Sequence, residues 1–298
     1  MKKLSYSAAA ICLSLLTLAG AKAQTTIAGW TFDNITTNSY VPNPTPSTDN
    51  SAGAVSAADL GMGIYSNATT GDIGTNDPDV TLGKTSDKGS NGVSDVTNQW
   101  RIRAQGTNSA NGWSNLAPIG TQGAQFNVST VGFNSITVSF DWYATTQGEA
   151  NLQFEYTTNG TTWINAALAL SGSDNGLQLL SNNGSDTNTV TGSYVSDNLL
   201  ANGSPAGQDW FTGLTATISD TNAANDANFG FRMVNASTGA DDVSTAGTAL
   251  NNTSGNWRFD NVTVSGVSAV PEPSTYALFF GGVALLAGVV IRRKVFKS

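Results

Sequence analysis

The chain beyond residue 23 offers few side chains with catalytic chemistry. It contains no histidine, and the single cysteine, Cys12, lies in the apolar segment near the N-terminus. Disulfides, thiol nucleophiles, Ser-His-Asp triads and zinc sites with histidine or cysteine ligands are therefore excluded. Carboxylate, hydroxyl, amide and indole groups remain.

Paired carboxylates are the first chemistry to consider, because glycoside hydrolysis uses two of them about 5–9.5 Å apart. Glu149 and Glu155 are the only glutamates between residues 24 and 270. Six residues of strand would place them about 20 Å apart at ~3.3 Å per residue, so they cannot act as an intrastrand pair. A pairing of Asp141 with Glu155 from another strand stays open. A glycoside hydrolase is therefore a distant alternative to a protein without catalytic activity.

Indole rings are the second chemistry, since an exposed aromatic face stacks well on a sugar ring. Trp113 and Trp210 lie in polar surroundings and are the predicted sugar contacts among the seven tryptophans. Trp30, Trp142 and Trp257 are in phase with strand alternation and are predicted to lie in the core. A carbohydrate-binding module is therefore the first alternative function.

The elements that must position these residues are predicted to be strands. Apolar and polar residues alternate with a period of two over residues 136–143 and 152–156, and Asn159-Gly160 predicts a hairpin turn. Short strands separated by turns, with no convincing amphipathic helix, predict an all-β sandwich over residues 24–268. One domain is expected, with two smaller sandwiches as the alternative. Residues 40–57 and 238–252 are predicted surface loops.

The charge of this region limits its partners. Between residues 24 and 270 there are six basic and 20 acidic residues, a net charge of −14. Nucleic acid is an unsuitable partner, because its phosphates require lysine and arginine. The balance fits an extracellular domain, including one that binds cations.

The first 23 residues have the organisation of an export signal. Lys2 and Lys3 form a basic start, residues 8–19 are apolar, and Ala21-Lys22-Ala23 has the small residues of a cleavage site. We predict a signal peptide over residues 1–23 and a mature chain that begins at Gln24.

A second apolar segment lies at residues 276–291, and the basic tail 292–298 follows it. As a helix it would be about 24 Å long at ~1.5 Å per residue, slightly short of the ~20 residues that usually span a bilayer. Basic residues stay on the cytoplasmic side. We therefore predict a transmembrane helix that holds the upstream chain outside the cell.

The residues before this helix are Val270, Pro271, Glu272, Pro273 and Ser274. This motif, the apolar segment and the basic tail together resemble the PEP-CTERM sorting signal of bacterial surface proteins, over residues 270–298. In that family an exosortase, a membrane transpeptidase, recognises the tail and cleaves near the motif. The two prolines keep the segment extended and outside the following helix, which exposes its backbone to a protease.

The resemblance implies export, anchoring in the membrane before processing, and then a place on the bacterial cell surface or secretion. It also implies a non-enzymatic role in the extracellular matrix, associated with exopolysaccharide or biofilm. The implied partners are the exosortase, the membrane and extracellular polysaccharide.

Residues 28–33 and 257–264 resemble the closing strands of lectin-like and carbohydrate-binding jelly-roll modules, and residues 154–163 resemble a hairpin of such modules. In similar modules an acid after the first aromatic residues and an acid in the last strand contribute to a structural Ca²⁺ site. The resemblance thus implies a jelly-roll sandwich with Asp33 and Asp260 as calcium ligands. Calcium takes six to eight oxygens, so neighbouring amides and carbonyls would complete the site.

Overall fold

The computed structural model describes residues 23–32, 43–61, 99–103, 113–169, 177–179, 194–196, 211–252, 255–269 and 281–284. The predicted signal peptide, apart from residue 23, lies outside the described residues. So do the motif at 270–274, the tail 292–298 and all of the predicted membrane helix except residues 281–284. Contacts divide the chain into two units, Thr26–Gly266 and the terminal segments Met1–Thr25 with Val267–Ser298.

The described residues form fifteen strands and short 3₁₀ turns at Thr221–Ala223 and Gly239–Asp241. The strands are β1 Gln24–Trp30, β2 Thr48–Asp49, β3 Val55–Leu60, β4 Trp100–Arg103, β5 Trp113–Ser114, β6 Gly123–Val128, β7 Phe133–Ala144, β8 Asn151–Thr157, β9 Ile164–Ala166, β10 Leu177–Leu179, β11 Tyr194–Ser196, β12 Phe211–Thr217, β13 Gly230–Asn235, β14 Asn251–Asn252 and β15 Asn256–Ser268.

These strands form an all-β sandwich of two sheets. The first sheet has the order β12-β7-β15-β1-β2, with β4 also paired to β15. The second has the order β10-β11-β8-β13-β6-β3, with β9 also paired to β8. Strands β5 and β14 form a small separate ribbon. The chain crosses repeatedly between the sheets, since β6, β8 and β13 belong to the second and β7, β12 and β15 to the first.

Strand β7 shows why alternating segments form this fold. Ile136, Val138, Phe140 and Trp142 are buried in the core, and the residues between them face the other way. Successive side chains of a strand point to opposite faces, so this spacing produces one apolar face. The strand predicted from the alternation is confirmed.

The core lies between the two sheets and is largely aromatic. Phe140 of the first sheet lies 6.2 Å, centroid to centroid, from Phe154 of the second. Phe154 lies 5.8 Å from Phe231, and Phe231 stacks on Phe126 at 4.8 Å. Such ring pairs stabilise a core by about 0.5–1.5 kcal/mol beyond the area that they bury. The predicted core positions of Trp30, Trp142 and Trp257 are confirmed.

The alternation of β15 shifts by one residue in the middle of the strand. Trp257 and Phe259 lie in the core, and so do Val262 and Val264, so the inward positions change from odd to even. Between them, Asn261 has a φ of 48°, a left-handed conformation that asparagine tolerates better than most residues. One extra residue reverses the face of every residue that follows. Asn261 therefore allows both halves of β15 to face the core.

The predicted hairpin after β8 is confirmed, since Phe154 pairs with Ala166 and Tyr156 with Ile164 in an antiparallel register. The predicted loop at residues 40–57 is only partly correct. It contains β2, which pairs with β1, and the start of β3, which pairs with β6.

The prediction of a surface loop at residues 238–252 is wrong for much of its length. Asp242, Ser244, Thr245 and Leu250 are buried. The Leu250 amide donates to the Asp242 carbonyl at 3.0 Å, and the Ser244 and Thr248 hydroxyls hydrogen-bond at 2.8 Å. Polar segments can be buried when their groups satisfy one another in this way.

Candidate functional site

Asp260, one of the two predicted calcium ligands, is buried in β15. Its Oδ1 accepts a hydrogen bond from the Asn261 amide at 2.7 Å. Asp33, its predicted partner, lies outside the described residues. Within the described ranges, no group of three or more acidic side chains is placed to hold a metal ion. Calcium at Asp33 and Asp260 stays a prediction.

Of the two predicted sugar contacts, Trp113 is fully buried in the core. Its ring lies 4.7 Å from that of Trp257, so it presents no free face to a ligand. The sequence prediction for Trp113 is therefore corrected: Trp113 begins the short strand β5, and its side chain is buried in the core although the neighbouring Ser114 is polar. Trp210 lies outside the described residues.

The structure brings together two acidic residues from separate connections. Glu149 lies between β7 and β8, Asp242 lies between β13 and β14, and both are fully buried. The two connections are joined where the Ala150 amide donates to the Val243 carbonyl at 3.0 Å. Nε1 of Trp257 donates to the Glu149 carbonyl at 2.7 Å, which fixes this backbone against the core.

One oxygen of each carboxylate has partners. Oε1 of Glu149 accepts from the Asn151 amide at 2.7 Å and from Oγ of Ser237 at 3.3 Å. The same Ser237 oxygen lies 3.4 Å from Oδ1 of Asp242. The other two oxygens, Oε2 of Glu149 and Oδ2 of Asp242, are buried and receive no hydrogen bond from a described residue outside the pair.

Burial raises the pKa of Glu149 well above its ordinary value, and the neighbouring Asp242 raises it further by hydrogen bonding and by charge. Burial also raises the pKa of Asp242, to about 6, against the opposing effect of hydrogen bonds with Glu149 and Ser237. Two adjacent carboxylates in a dry site cannot both ionise easily. The pair must therefore hold a proton or a compensating cation.

We expect the metal-free protein, in EDTA, to lose stability as the pH rises from about 5 to about 7. Carboxyls of the unfolded chain titrate at about 4, whereas Asp242 retains its proton up to about pH 6 in the folded state. The folded state thus binds more protons in this window, and stability falls as they leave.

Urea unfolding at each pH measures the effect. Asp242→Asn should reduce the slope, whereas Asp49→Asn, at an exposed position, should leave it unchanged. Burial also raises the pKa of Asp59, so part of the decrease in stability with pH should remain in Asp242→Asn. A stability that increases between pH 5 and pH 7 in EDTA would contradict the assignment.

A second group of polar side chains crosses the outer face of the second sheet, and we call it the polar row: Gln153, Glu155, Trp163, Asn165 and Arg232. Glu155 of β8 lies directly opposite Arg232 of β13 and Asn165 of β9. Arg232 forms an ion pair with Glu155, and its guanidinium carbon lies 4.3 Å from the ring centroid of Trp163. The row faces away from the core because the neighbouring Phe154 points into it.

Hydrogen bonds hold the polar row in place. Nε2 of Gln153 donates to Oε1 of Glu155 at 2.9 Å, and Nδ2 of Asn165 donates to Oε1 of Gln153 at 3.3 Å. Gly120, with a φ of 79°, lies beside them, and a Cβ there would come within 3.1 Å of Nη2 of Arg232. The row is a set of planar polar groups beside a partly exposed indole.

Sequence reasoning missed both groups for identifiable reasons. It paired Glu149 only with Glu155, it paired Glu155 only with Glu149 or Asp141, and Asp242 lay in a segment predicted to be a surface loop. The one available signal was the hairpin after β8, which already placed Trp163 next to strand β8.

Within the part of the chain that the structure describes, no helix has the length and hydropathy needed to cross a membrane. The xylan-binding CBM22-1 domain of Xyn10C from Paenibacillus barcinonensis aligns with 84% of this chain and 99% of that domain, at 11% identity and a TM-score of 0.33. No curated protein matches the sequence.

The end of the chain gives a specific match. Strand β15 ends at Ser268, and the model of the PEP-CTERM protein-sorting motif matches residues 269–294. This range contains the Pro271-Glu272-Pro273 segment, the apolar stretch and the first three basic residues after it. The chain therefore carries a PEP-CTERM protein-sorting motif directly after the last strand of its β-sandwich.

Proposed function

We propose that this chain is an exported bacterial surface protein whose β-sandwich is displayed after an exosortase has removed its C-terminal segment. The observation that carries the proposal is the junction between Ser268, where β15 ends, and residue 269, where the sorting motif begins. Every strand of the sandwich is complete before the signal starts. Cleavage within the motif would leave the displayed fold intact.

We also propose that the sandwich has no catalytic activity. Glu155 is paired with Arg232 on the outer face of the second sheet. Asp141 lies between the core residues Phe140 and Trp142 of β7, so it points away from the core on the opposite side of the sandwich. The Asp141–Glu155 pairing that the sequence left open would thus have to act across the core. Glu149 and Asp242 are close together, but they are buried away from any substrate.

The fate of the C-terminal segment in cells tests the surface-protein proposal. In cells with an active exosortase, the intact mass of the surface-exposed protein should correspond to a C-terminus near residues 270–275, without residues 276–298. In cells that lack the enzyme, the protein should keep its tail and stay in the membrane fraction. Full-length protein on the surface of exosortase-containing cells is the result that would refute it.

A second function, binding of extracellular polysaccharide by a jelly-roll sandwich, is favoured by the polar row. Sugars are bound by planar polar side chains beside an aromatic ring, and Trp163, Arg232 and Glu155 supply this combination on one face. The repeated crossing of the chain between the sheets agrees with a jelly roll. A matrix or biofilm role would follow from such binding.

If the polar row binds polysaccharide, Trp163→Ala should weaken binding about tenfold, equivalent to about 1.4 kcal/mol, because a stacking surface is lost. Affinity electrophoresis against a panel of soluble polysaccharides measures the change. Leu116→Ala is the matched control, since Leu116 is an exposed apolar residue that is not part of the row. If Trp163→Ala binds polysaccharide normally and Trp210→Ala does not, the binding site lies at Trp210, as the sequence predicted. Release of reducing ends from the polysaccharide would favour a glycoside hydrolase instead.

A further inference from the structure

Among the described residues, no cation balances the negative charge that the Glu149–Asp242 pair carries when it is ionised. Both side chains are fully buried, and each has one oxygen without a hydrogen-bond donor. Ser237 has a single hydroxyl proton to share between Oε1 of Glu149 and Oδ1 of Asp242. Within the described residues, no lysine or arginine contacts either carboxylate. An uncompensated buried carboxylate costs several kcal/mol, so the pair must either retain a proton or bind a cation.

We propose that Glu149 and Asp242 bind a divalent cation, Ca²⁺, together with Oγ of Ser237. All three groups offer hard oxygen atoms, which calcium and magnesium prefer, and the chain beyond residue 23 has no cysteine or histidine for softer metals. Calcium fits better than magnesium, because magnesium sheds its water reluctantly and demands near-octahedral geometry. Water or backbone carbonyls supply the remaining ligands.

The ion would join the β7–β8 connection to the β13–β14 connection. These connections already share the Ala150–Val243 hydrogen bond and one from the Thr245 amide to the Gly148 carbonyl at 3.0 Å. An ion between Glu149 and Asp242 adds a link between side chains to these backbone contacts. This site is separate from the one predicted at Asp33 and Asp260, which uses the middle of β15.

The test uses the exported protein purified from cells, treated with EDTA and then titrated with millimolar Ca²⁺ while thermal unfolding is recorded. Extracellular modules bind calcium with Kd values of about 10⁻⁴–10⁻³ M. Calcium at about 10 mM exceeds these Kd values ten- to a hundredfold and should raise the ratio of folded to unfolded protein by about the same factor. Glu149→Gln and Asp242→Asn keep the side-chain shape and should abolish the shift, whereas Asp49→Asn should retain it.

Terbium luminescence gives a second measurement on the unaltered protein. The Trp257 indole donates to the Glu149 carbonyl at 2.7 Å, so it should sensitise Tb³⁺ bound at the pair, and Ca²⁺ should quench that emission. This result does not depend on the folding of any variant.

Two results would overturn the proposal. Superimposed melting curves in EDTA and Ca²⁺, without sensitised terbium emission, would show that the pair shares a proton instead. A calcium shift that survives Glu149→Gln and Asp242→Asn but is lost in Asp260→Ala would place the ion at the sequence-predicted site.

Discussion

Replacement of Pro271 and Pro273 by alanine should cause full-length protein to accumulate in the membrane fraction, with its tail uncleaved. Proline disfavours a helix interior by about 3 kcal/mol relative to alanine. The double variant therefore allows the helix predicted over residues 276–291 to extend backward through the cleavage region, and helical backbone is a poor protease substrate. Immunoblotting of membrane and surface fractions, with intact mass of each species, measures the change.

The matched control is Pro46→Ala, which alters a proline in the sandwich and should be processed normally. Glu272→Gln separates the role of charge from that of backbone shape, since it keeps both prolines. Wild-type processing of the double proline variant would mean that the enzyme recognises the helix and the basic residues rather than an extended segment.

Trp257→Ala should destabilise the sandwich by about 3–5 kcal/mol, a cost typical of a deleted core aromatic residue. Trp257 is fully buried, and its ring lies 4.7 Å from Trp113 and 5.4 Å from Trp142. The variant also leaves the Glu149 carbonyl without its indole donor, which adds about 1–3 kcal/mol for an unsatisfied buried acceptor. Total stabilities of about 5–15 kcal/mol leave little margin for such a loss.

Urea unfolding of the exported protein measures this loss, and Trp163→Ala is the matched control. Both substitutions remove an indole, but Trp163 is partly exposed and should cost about 1 kcal/mol or less, mainly through its contact with Arg232. Similar losses in the two variants would show that the buried aromatic cluster does not dominate the stability of the fold.

Much of the sheet structure was predictable from the sequence, because strands leave a period-two pattern. Strand β7 and the β8–β9 hairpin were predicted from alternation and a turn signal alone. Asn261 shows where such an argument stops. The left-handed conformation of Asn261 changes which positions of β15 face inward. The local sequence Asp260-Asn261 could equally mark the end of a strand, so the sequence alone does not predict this change.

The candidate sites were less predictable, since they depend on residues distant in the sequence. Glu149 and Asp242 are more than ninety positions apart, and each lies in a segment with the composition of a solvated turn. Their burial follows from hydrogen bonds between two connections, which no periodicity encodes. Trp113 was assigned to the surface for the same reason: its neighbours in the chain are polar, but its neighbours in space are Trp257 and the core.

The place of β15 in the first sheet has a mechanical consequence. The strand lies between β7 and β1, and the sorting motif follows its last residue. A surface protein held at this end would receive the drag of flow, or the pull of a neighbouring cell, through β15. An interior strand is bonded along both edges, unlike an edge strand with one free side. Tension would therefore be shared with two neighbours, and the sandwich would resist being unravelled from its point of attachment.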